Sequence, residues 1–314
     1  MRPVVSLSSE AGKSVGSESI QVMTYSILGR DPATGEVGGA VQSAWFSSAG
    51  VLCTEAGVGA VASQAIGEPA FGPIGLQMMA AGSTPAQVAA ALVAGDRTPG
   101  VRQIGLIDLT STPAAFTGDD CVPEAGHQAG GDCVAQANMM ANPGVPETMV
   151  TAFEMTTGEL ADRLLAALDA AQALGGDFRG VQSAGLVVRR GKRGAPAWRT
   201  AVVDVRVDDH PHPLDELRRL AGLSRLYRNY NVVLARLTAG DYAGAIEAAR
   251  ELDSRMPDDP NAHLRLGLAL AVAGDSEGAE ILDAMAAQSD KWLAYARALC
   301  LRYDVEYPIP DSPL

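Results

Sequence analysis

Thr24 sits directly behind Met23, at the head of the apolar, strand-like run Thr24-Tyr25-Ser26-Ile27. A threonine in that position becomes a mature N-terminus when the preceding residue is removed. Its hydroxyl is then a nucleophile and its own freed α-amine the base. A threonine hydroxyl attacks poorly unless a base lies within hydrogen-bond reach. The α-amine, with a reference pKa of about 7.7–8.0, supplies a neutral proton acceptor near neutral pH. Most strand threonines only satisfy β-propensity, so the surrounding residues decide between the two readings. The oxyanion formed by attack on an amide carbonyl needs donors. Asn138, which follows a strand in a Gly-rich context, is the first candidate, with a plain turn role as its alternative. Ser26 shares a sheet face with Thr24 because strand side chains alternate, and either orients the nucleophile or packs. Gln42 and Ser43 end the strand expected to pair with it, where they bring a polar group near Thr24 or merely close the strand.

Asp177 and Arg179 lie in a Gly-flanked loop, Gly175–Gly180. An arginine fork suits a substrate carboxylate; the alternative is an ion pair that fixes the loop. His127 stands with five residues on either side separating it from Cys121 and Cys133. That invites a zinc reading, but zinc sites favour shorter spacing and a fourth ligand. A loop histidine bonded locally explains it with less, and neither metal nor cofactor is expected. The run Asp208-Asp209-His210-Pro211-His212 reads as a polar turn into a helix rather than a cation site.

Positioning these groups needs a large core, and 314 residues with 47% hydrophobic content supply one. Aromatics make up only 5% and glycine numbers 34, which favours close backbone packing. A net charge of −13 argues against a nucleic-acid or anionic-membrane binder. Residues 1–22 are rich in Ser and Gly and lack the apolar core, about 7–15 residues long, of an export signal. They read as a disordered leader or a start placed too early, and alternatively as a propeptide. The four cysteines form no CxxC pair and read as reduced thiols in the cytoplasm.

Strand-like runs cover Thr24–Arg30 and Val37–Ser43, with the turn Asp31-Pro32-Ala33-Thr34-Gly35 between them predicting a hairpin. Further strands are expected at Val58–Gln64, Gln103–Leu109, Ala114–Thr117, Cys133–Gln136, Val181–Val188 and Thr200–Val207, the last two joined by a basic turn, Arg189–Arg193. Helices are expected from Ser83-Thr84-Pro85 through Ala94, over Pro146–Glu154 and over Leu160–Leu174. This order suits an α+β fold, a four-layer αββα sandwich spanning 23–212. After Pro213 the chain is helical, forming an all-α tail over 213–314. There Ala239-Gly240-Asp241 recurs as Ala273-Gly274-Asp275, a 34-residue offset resembling the tetratricopeptide repeat. The tail is either a small appendage or a groove for a protein partner. Arg218, Arg219, Arg225 and Arg228 read as a solvated face or an interface.

The stretch Met23–Val207 resembles the family known as domain of unknown function 1028. Thr24-Tyr25-Ser26-Ile27, Arg30-Asp31-Pro32 and Val41-Gln42-Ser43 carry the opening of the resemblance. Ala56–Ala62 with Gln64, Gly72-Pro73-Ile74-Gly75-Leu76, Arg102-Gln103, Gly126-His127, Gln136-Ala137-Asn138 and Gly175–Ala184 continue it in order, and Asp208–Pro211 close it. The resemblance implies an N-terminal-nucleophile fold like that of proteasome β-subunits and hydrolysis of an amide bond. Ala137 stands where the family carries glycine. The expected substrate is a small-molecule or peptide amide, including an acylated amino acid. Thr24, Asn138, Ser26 and Ser43 are assigned to catalysis, and Gln42, Gln64, His127, Asp177 and Arg179 to substrate binding. The competing expectation is a non-catalytic binding protein acting through its helical tail. Edge strands and Gly-rich surfaces suit self-association.

Overall fold

Asp31 folds the first hairpin as its turn chemistry dictates. Its Oδ1 accepts from Ala33 N at 2.9 Å, its carbonyl accepts from Gly35 N at 2.9 Å, and Gly35 takes a φ of +69° that a side chain would resist. In the computed structural model, which describes residues 21–22 and 24–303, this hairpin joins β2 (Tyr25–Asp31) to β3 (Glu36–Ser43). The leader expected over 1–22 lies outside the described residues except for Gln21–Val22, which form β1.

Two antiparallel sheets follow. β4 (Leu52–Glu55), β5 (Gly59–Ile66), β6 (Arg102–Asp108) and β7 (Ala114–Thr117) make one with β1, in the order β1-β5-β6-β7 with β4 also on β5. β8 (Gly126–Ala129), β9 (Cys133–Ala137), β10 (Ser183–Arg190) and β11 (Ala201–Val207) join the hairpin in the order β11-β10-β3-β2-β9-β8. Leu28, Val37, Ala60, Ala62, Ile107 and Val134 form one buried cluster drawn from both sheets. Alternation sends the other side chains of β2 outward, where the Tyr25 hydroxyl donates to Gln172 at 3.0 Å. Gly38 permits the tight sheet interior, since a Cβ there would overlap the Val187 carbonyl.

Helices α1 (Phe71–Ala80) and α2 (Pro85–Gly95) contact the first sheet, and α3 (Val145–Met155) and α4 (Leu160–Ala173) contact the second. Thr84 starts α2 with a capping box through Gln87. Nothing in the periodicity predicts α1, because its two glycines and Pro73 read as loop. Proline is tolerated in a first helical turn, and a Cβ on Gly72 would sit 2.7 Å from Cys53 Cβ, so the glycine is what lets the helix lie against β4. β4 and β8, four residues each, are not among the strands expected. The expected turn at Arg189–Arg193 is partly strand: β10 continues to Arg190 because Arg189 pairs with Asp204 at 2.6 Å and Arg190 with Glu36 at 3.4 Å. A short helix, α5 (Ala197–Thr200), then precedes β11.

Arg30 closes the far end of β2. Its guanidinium donates to Asp132 at 2.8 Å and to the carbonyls of Asp108, Ser111 and Gly131, linking both sheets. Arg30→Met should lower stability by about 2 kcal/mol, less than the roughly 3–5 kcal/mol of a fully buried pair, because Asp132 keeps 39% of its side-chain exposure. A urea titration monitored by circular dichroism measures this, with wild-type-like stability as the contrary result.

The chain divides into two compact units, Met1–Leu217 and Arg218–Leu314, with the boundary inside α6 (Pro213–Thr238). The second unit continues through α7 (Tyr242–Arg255), α8 (Pro260–Val272), α9 (Ser276–Ala286) and α10 (Asp290–Arg302) around its own core, which includes Val233, Leu264, Leu268, Leu282 and Cys300. The 34-residue offset appears as two equivalent caps. Gly240 (φ +76°) and Gly274 (φ +82°) end one helix each, and Asp241 and Asp275 cap the next. No described helix is long and apolar enough to cross a membrane.

Candidate active site

Thr24 is completely buried at the entrance to β2, and its Oγ1 has no hydrogen-bond partner among the described residues. Its carbonyl, by contrast, is held by three donors: Asn138 N at 3.2 Å, Asn138 Nδ2 at 3.3 Å and Gln64 Nε2 at 3.0 Å. A buried hydroxyl left unpaired costs free energy and calls for an explanation. The backbone around it is anchored while the hydroxyl has no partner among the described residues.

Below Thr24 the two sheets are joined by amide side chains instead of apolar ones. Ser26 Oγ donates to Gln64 Oε1 at 2.6 Å, and Gln64 Nε2 donates to Gln103 Oε1 at 2.7 Å. Asn138 Nδ2 donates to the same Gln103 oxygen at 2.9 Å. Gln103 Nε2 in turn donates to the carbonyls of Ala137 and Gly126 and to Thr117 Oγ1. Gln136 Nε2 reaches Ala62 O at 3.2 Å and Ser26 Oγ at 3.4 Å. Ser26, Gln64, Gln103, Gln136 and Asn138 are all essentially inaccessible to water. In that low-dielectric setting bonded amides hold a unique arrangement; Gln136 Oε1 alone of the network's amide oxygens is buried without a partner among the described residues. Gln103 and Gln136 were not among the residues singled out for chemistry. Their signal was a glutamine within a strand segment next to apolar residues, Gln103 near the start of β6 and Gln136 near the end of β9, where burial normally excludes one.

Backbone strain gathers around this network. Four described non-glycine residues have positive φ: Ser47, Ala65, Glu124 and Met139. Ala65 directly follows Gln64 and Met139 directly follows Asn138, while Glu124 O accepts from Met140 N at 3.4 Å. Left-handed backbone of this kind costs about 1–3 kcal/mol per residue and concentrates at functional sites.

The other expected residues fall in different places. Ser43 is buried at the end of β3, its Oγ accepting from Trp45 N at 3.0 Å. Gln42 pairs across from Tyr25 and therefore shares its helix-facing side, away from the face of Ser26. Its amide is buried with neither end bonded among the described residues. Burial, followed by the charges of Asp169 and Asp177, pushes the Tyr25 phenol well above its usual range, so it remains a neutral donor. Asp177 and Arg179 meet as an ion pair at 2.7 Å, with Asp177 Oδ1 also accepting from Arg179 N and Nε. Asp177 Oδ2 further accepts from Ala44 N at 3.3 Å, and Phe178 N donates to Met139 O at 3.2 Å, so this loop braces the segment after Asn138. Asp177→Asn, which keeps shape and removes charge, should cost about 1–2 kcal/mol in a thermal melt and loosen that segment in amide exchange; unchanged exchange at Met139–Ala141 would contradict the bracing.

His127 is exposed on β8, its Nδ1 2.9 Å from Thr117 Oγ1, which links it to Gln103 and so to the edge of the network. Cys121 Sγ donates to Arg102 O at 3.4 Å. Burial, then the charge of Glu154, pushes the Cys133 thiol up to about 12. Among the described residues no group of three or more His, Cys, Asp or Glu side chains is arranged to hold a metal ion. All four cysteines are free.

A family model described as a family of unknown function, DUF1028, matches residues 24–217. The chain belongs to the DUF1028 family. The DUF1028 match begins at Thr24 and ends where the first compact unit ends. A DUF1028 protein of known crystal structure, SPO2555 from Silicibacter pomeroyi, is 32% identical, with a TM-score of 0.58 over 64% of this chain and 86% of its own. No curated protein matches the sequence.

Proposed function

We propose that this chain is an N-terminal-nucleophile amidohydrolase whose nucleophile is Thr24. The observation that carries the reading is the unpaired, fully buried Thr24 hydroxyl above a carbonyl fixed by three donors. The two facing antiparallel sheets, each contacted by a helix pair, support the finer fold reading, a four-layer αββα sandwich of the N-terminal-nucleophile type. The start of the family match at Thr24 supports the same terminus.

Removal of Met23 frees the Thr24 amine, which takes the hydroxyl proton as Oγ1 attacks an amide carbonyl. The carbonyl carbon gains the Oγ1 bond, the amine leaving group departs with that proton, and water then releases the acid from the acyl ester. Asn138 is the side-chain donor assigned to the oxyanion. Its two Nδ2 protons serve Thr24 O and Gln103 Oε1, so it donates to the oxyanion by giving up the longer, 3.3 Å contact. Ser26 orients Gln64, and both act by positioning. The substrate is a small-molecule or peptide amide in the reducing cytoplasm, with no metal, cofactor or nucleic acid involved.

A second reading, an inactive sandwich acting through a tetratricopeptide-like helical unit, is favoured by one observation: in the chain as it stands Thr24 is internal, with Val22 paired to Ala65. The N-terminal sequence and intact mass of the native protein, paired with an amide-library screen against Thr24→Ala, separate the two. A start at Thr24 with turnover lost in the variant supports the hydrolase. Turnover by a protein that retains residues 1–23, unaffected by Thr24→Ala, overturns it.

A further inference from the structure

Among the described residues little covers the edge of β5 beside Thr24. β6 pairs with β5 on one side from Gly59 to Ala65. On the other side β4 pairs only with Gly59–Ala62 and stops at Leu52. Beyond it, Gln21–Val22 take up the edge, opposite Ile66 and Ala65 in antiparallel register. Those two residues belong to the segment on the acyl side of the bond that precedes Thr24. A substrate that acylates Thr24 Oγ1 brings its own acyl half to the same side. The short strand is thus a covalently attached occupant of the place a substrate chain would take.

Next to this edge lies a cavity of about 470 Å³. Ser63 and Gly67 line it from the β5 end and Leu52 from the start of β4, together with Trp45, Phe46 and Val51. Among the described residues no charged side chain lines it. Trp45 and Phe46 are 41% and 60% exposed, large apolar surfaces left at the rim. A volume within the usual range for ligand sites, apolar walls and exposed aromatics suit an uncharged apolar or aromatic group.

We propose that the open edge of β5, Ser63–Ile66, receives the substrate as an added antiparallel strand, and that the Trp45–Phe46 cavity takes an apolar or aromatic side chain from it; the substrate class is an extended peptide amide. This rests on the reading of Thr24 as nucleophile. Strand addition draws affinity from main-chain hydrogen bonds and selectivity from the adjoining pocket. It explains why a strained, left-handed residue, Ala65, is kept in the middle of the receiving edge.

The test uses the chain starting at Thr24, carrying Thr24→Ala so that turnover does not consume the probe. The probe is a fluorescein-labelled Ser-Ile-Gln-Val-Met amide, the sequence of residues 19–23, followed by anisotropy. Binding with a Kd of about 100 μM or tighter is expected, and of the two probes N-methylated at the Gln or at the Val amide, the one whose N–H faces β5 should bind about tenfold or more weaker, because adjacent residues of an antiparallel strand donate to opposite sides. The chain that retains residues 1–23 should bind about tenfold more weakly or not at all, because its edge is occupied. An analogue with phenylalanine in place of the terminal methionine or the valine should bind more tightly than one with aspartate. Trp45→Ala, or Phe46→Ala where the first variant melts early, should erase that preference. Equal binding of the N-methylated probes, or no binding at about 1 mM, overturns the proposal. Peptide binding without hydrolysis by the unsubstituted Thr24-start chain would sink the nucleophile and leave the strand site standing. Hydrolysis of simple amides without peptide binding would do the reverse.

Discussion

A chain beginning at Thr24 should hydrolyse an amide substrate at least about a thousandfold faster than the same chain carrying Met23, and Thr24→Ala should remove the activity to the same extent. The size follows from what one extra residue does. It converts the α-amine into a peptide nitrogen with no available lone pair, leaving Oγ1 with no base. Losing the nucleophile and losing its base should therefore cost alike, since groups that act as a unit are grossly non-additive. Thr24→Ser keeps both groups and should retain most of the rate. The pH profile distinguishes this scheme from one using a side-chain base. The base must be neutral, so kcat/KM should fall as pH drops through the amine's pKa, about 7.7–8.0 before any environmental shift. Acetylating the terminal amine should abolish turnover without changing the thermal melt. Activity that survives acetylation would refute the amine as base.

Legibility from the sequence divided along physical lines. The hairpin was readable because Asp31 and Gly35 impose their turn locally. The ends of α2 were readable because Thr84 and Pro85 are start signals in themselves. Helix α1 was not, since its glycines answer to Cys53 and Val61, residues on strands whose nearness only the fold creates. Thr24 and Asn138 could each be proposed from residue type, but their contact through the Thr24 carbonyl joins residues 114 positions apart. The choice between a carboxylate clamp and a loop-fixing pair at Asp177 and Arg179 was open in the sequence. Geometry gives the pair, because Asp177 is buried and turns both carboxylate oxygens to Arg179. The β5 edge was beyond reach, because which stretch of strand lacks a neighbour is a property of sheet order and not of any segment.

Gln103 should prove the most costly single polar residue to replace in the first unit. Its Oε1 accepts from both Gln64 and Asn138, the two side chains that hold the Thr24 carbonyl, and its Nε2 serves Ala137 O, Gly126 O and Thr117 Oγ1. Gln103→Leu preserves volume but strands donors and acceptors that water cannot reach. Each such group costs about 1–3 kcal/mol. Gln64 and Asn138 retain second acceptors, which brings the expected total to about 3–4 kcal/mol, or roughly 8–12 °C in the melting temperature of a unit this size. Gln103→Glu tests whether the donors at this position matter as much as the acceptor. A carboxylate there would face three oxygen atoms, so its folded-state pKa should rise above the unfolded value of about 4.3. A raised carboxyl pKa makes the folded state bind more protons, so this variant should be closest to wild type in acid and lose stability as pH rises through that range. Turnover should fall in both variants with little change in KM, because Gln103 acts on the anchoring of Thr24 and touches no substrate. Stability of Gln103→Glu that rose with pH across the same window would mean that the amide is not buried against those carbonyls, and the network would lose its role as the platform for Thr24.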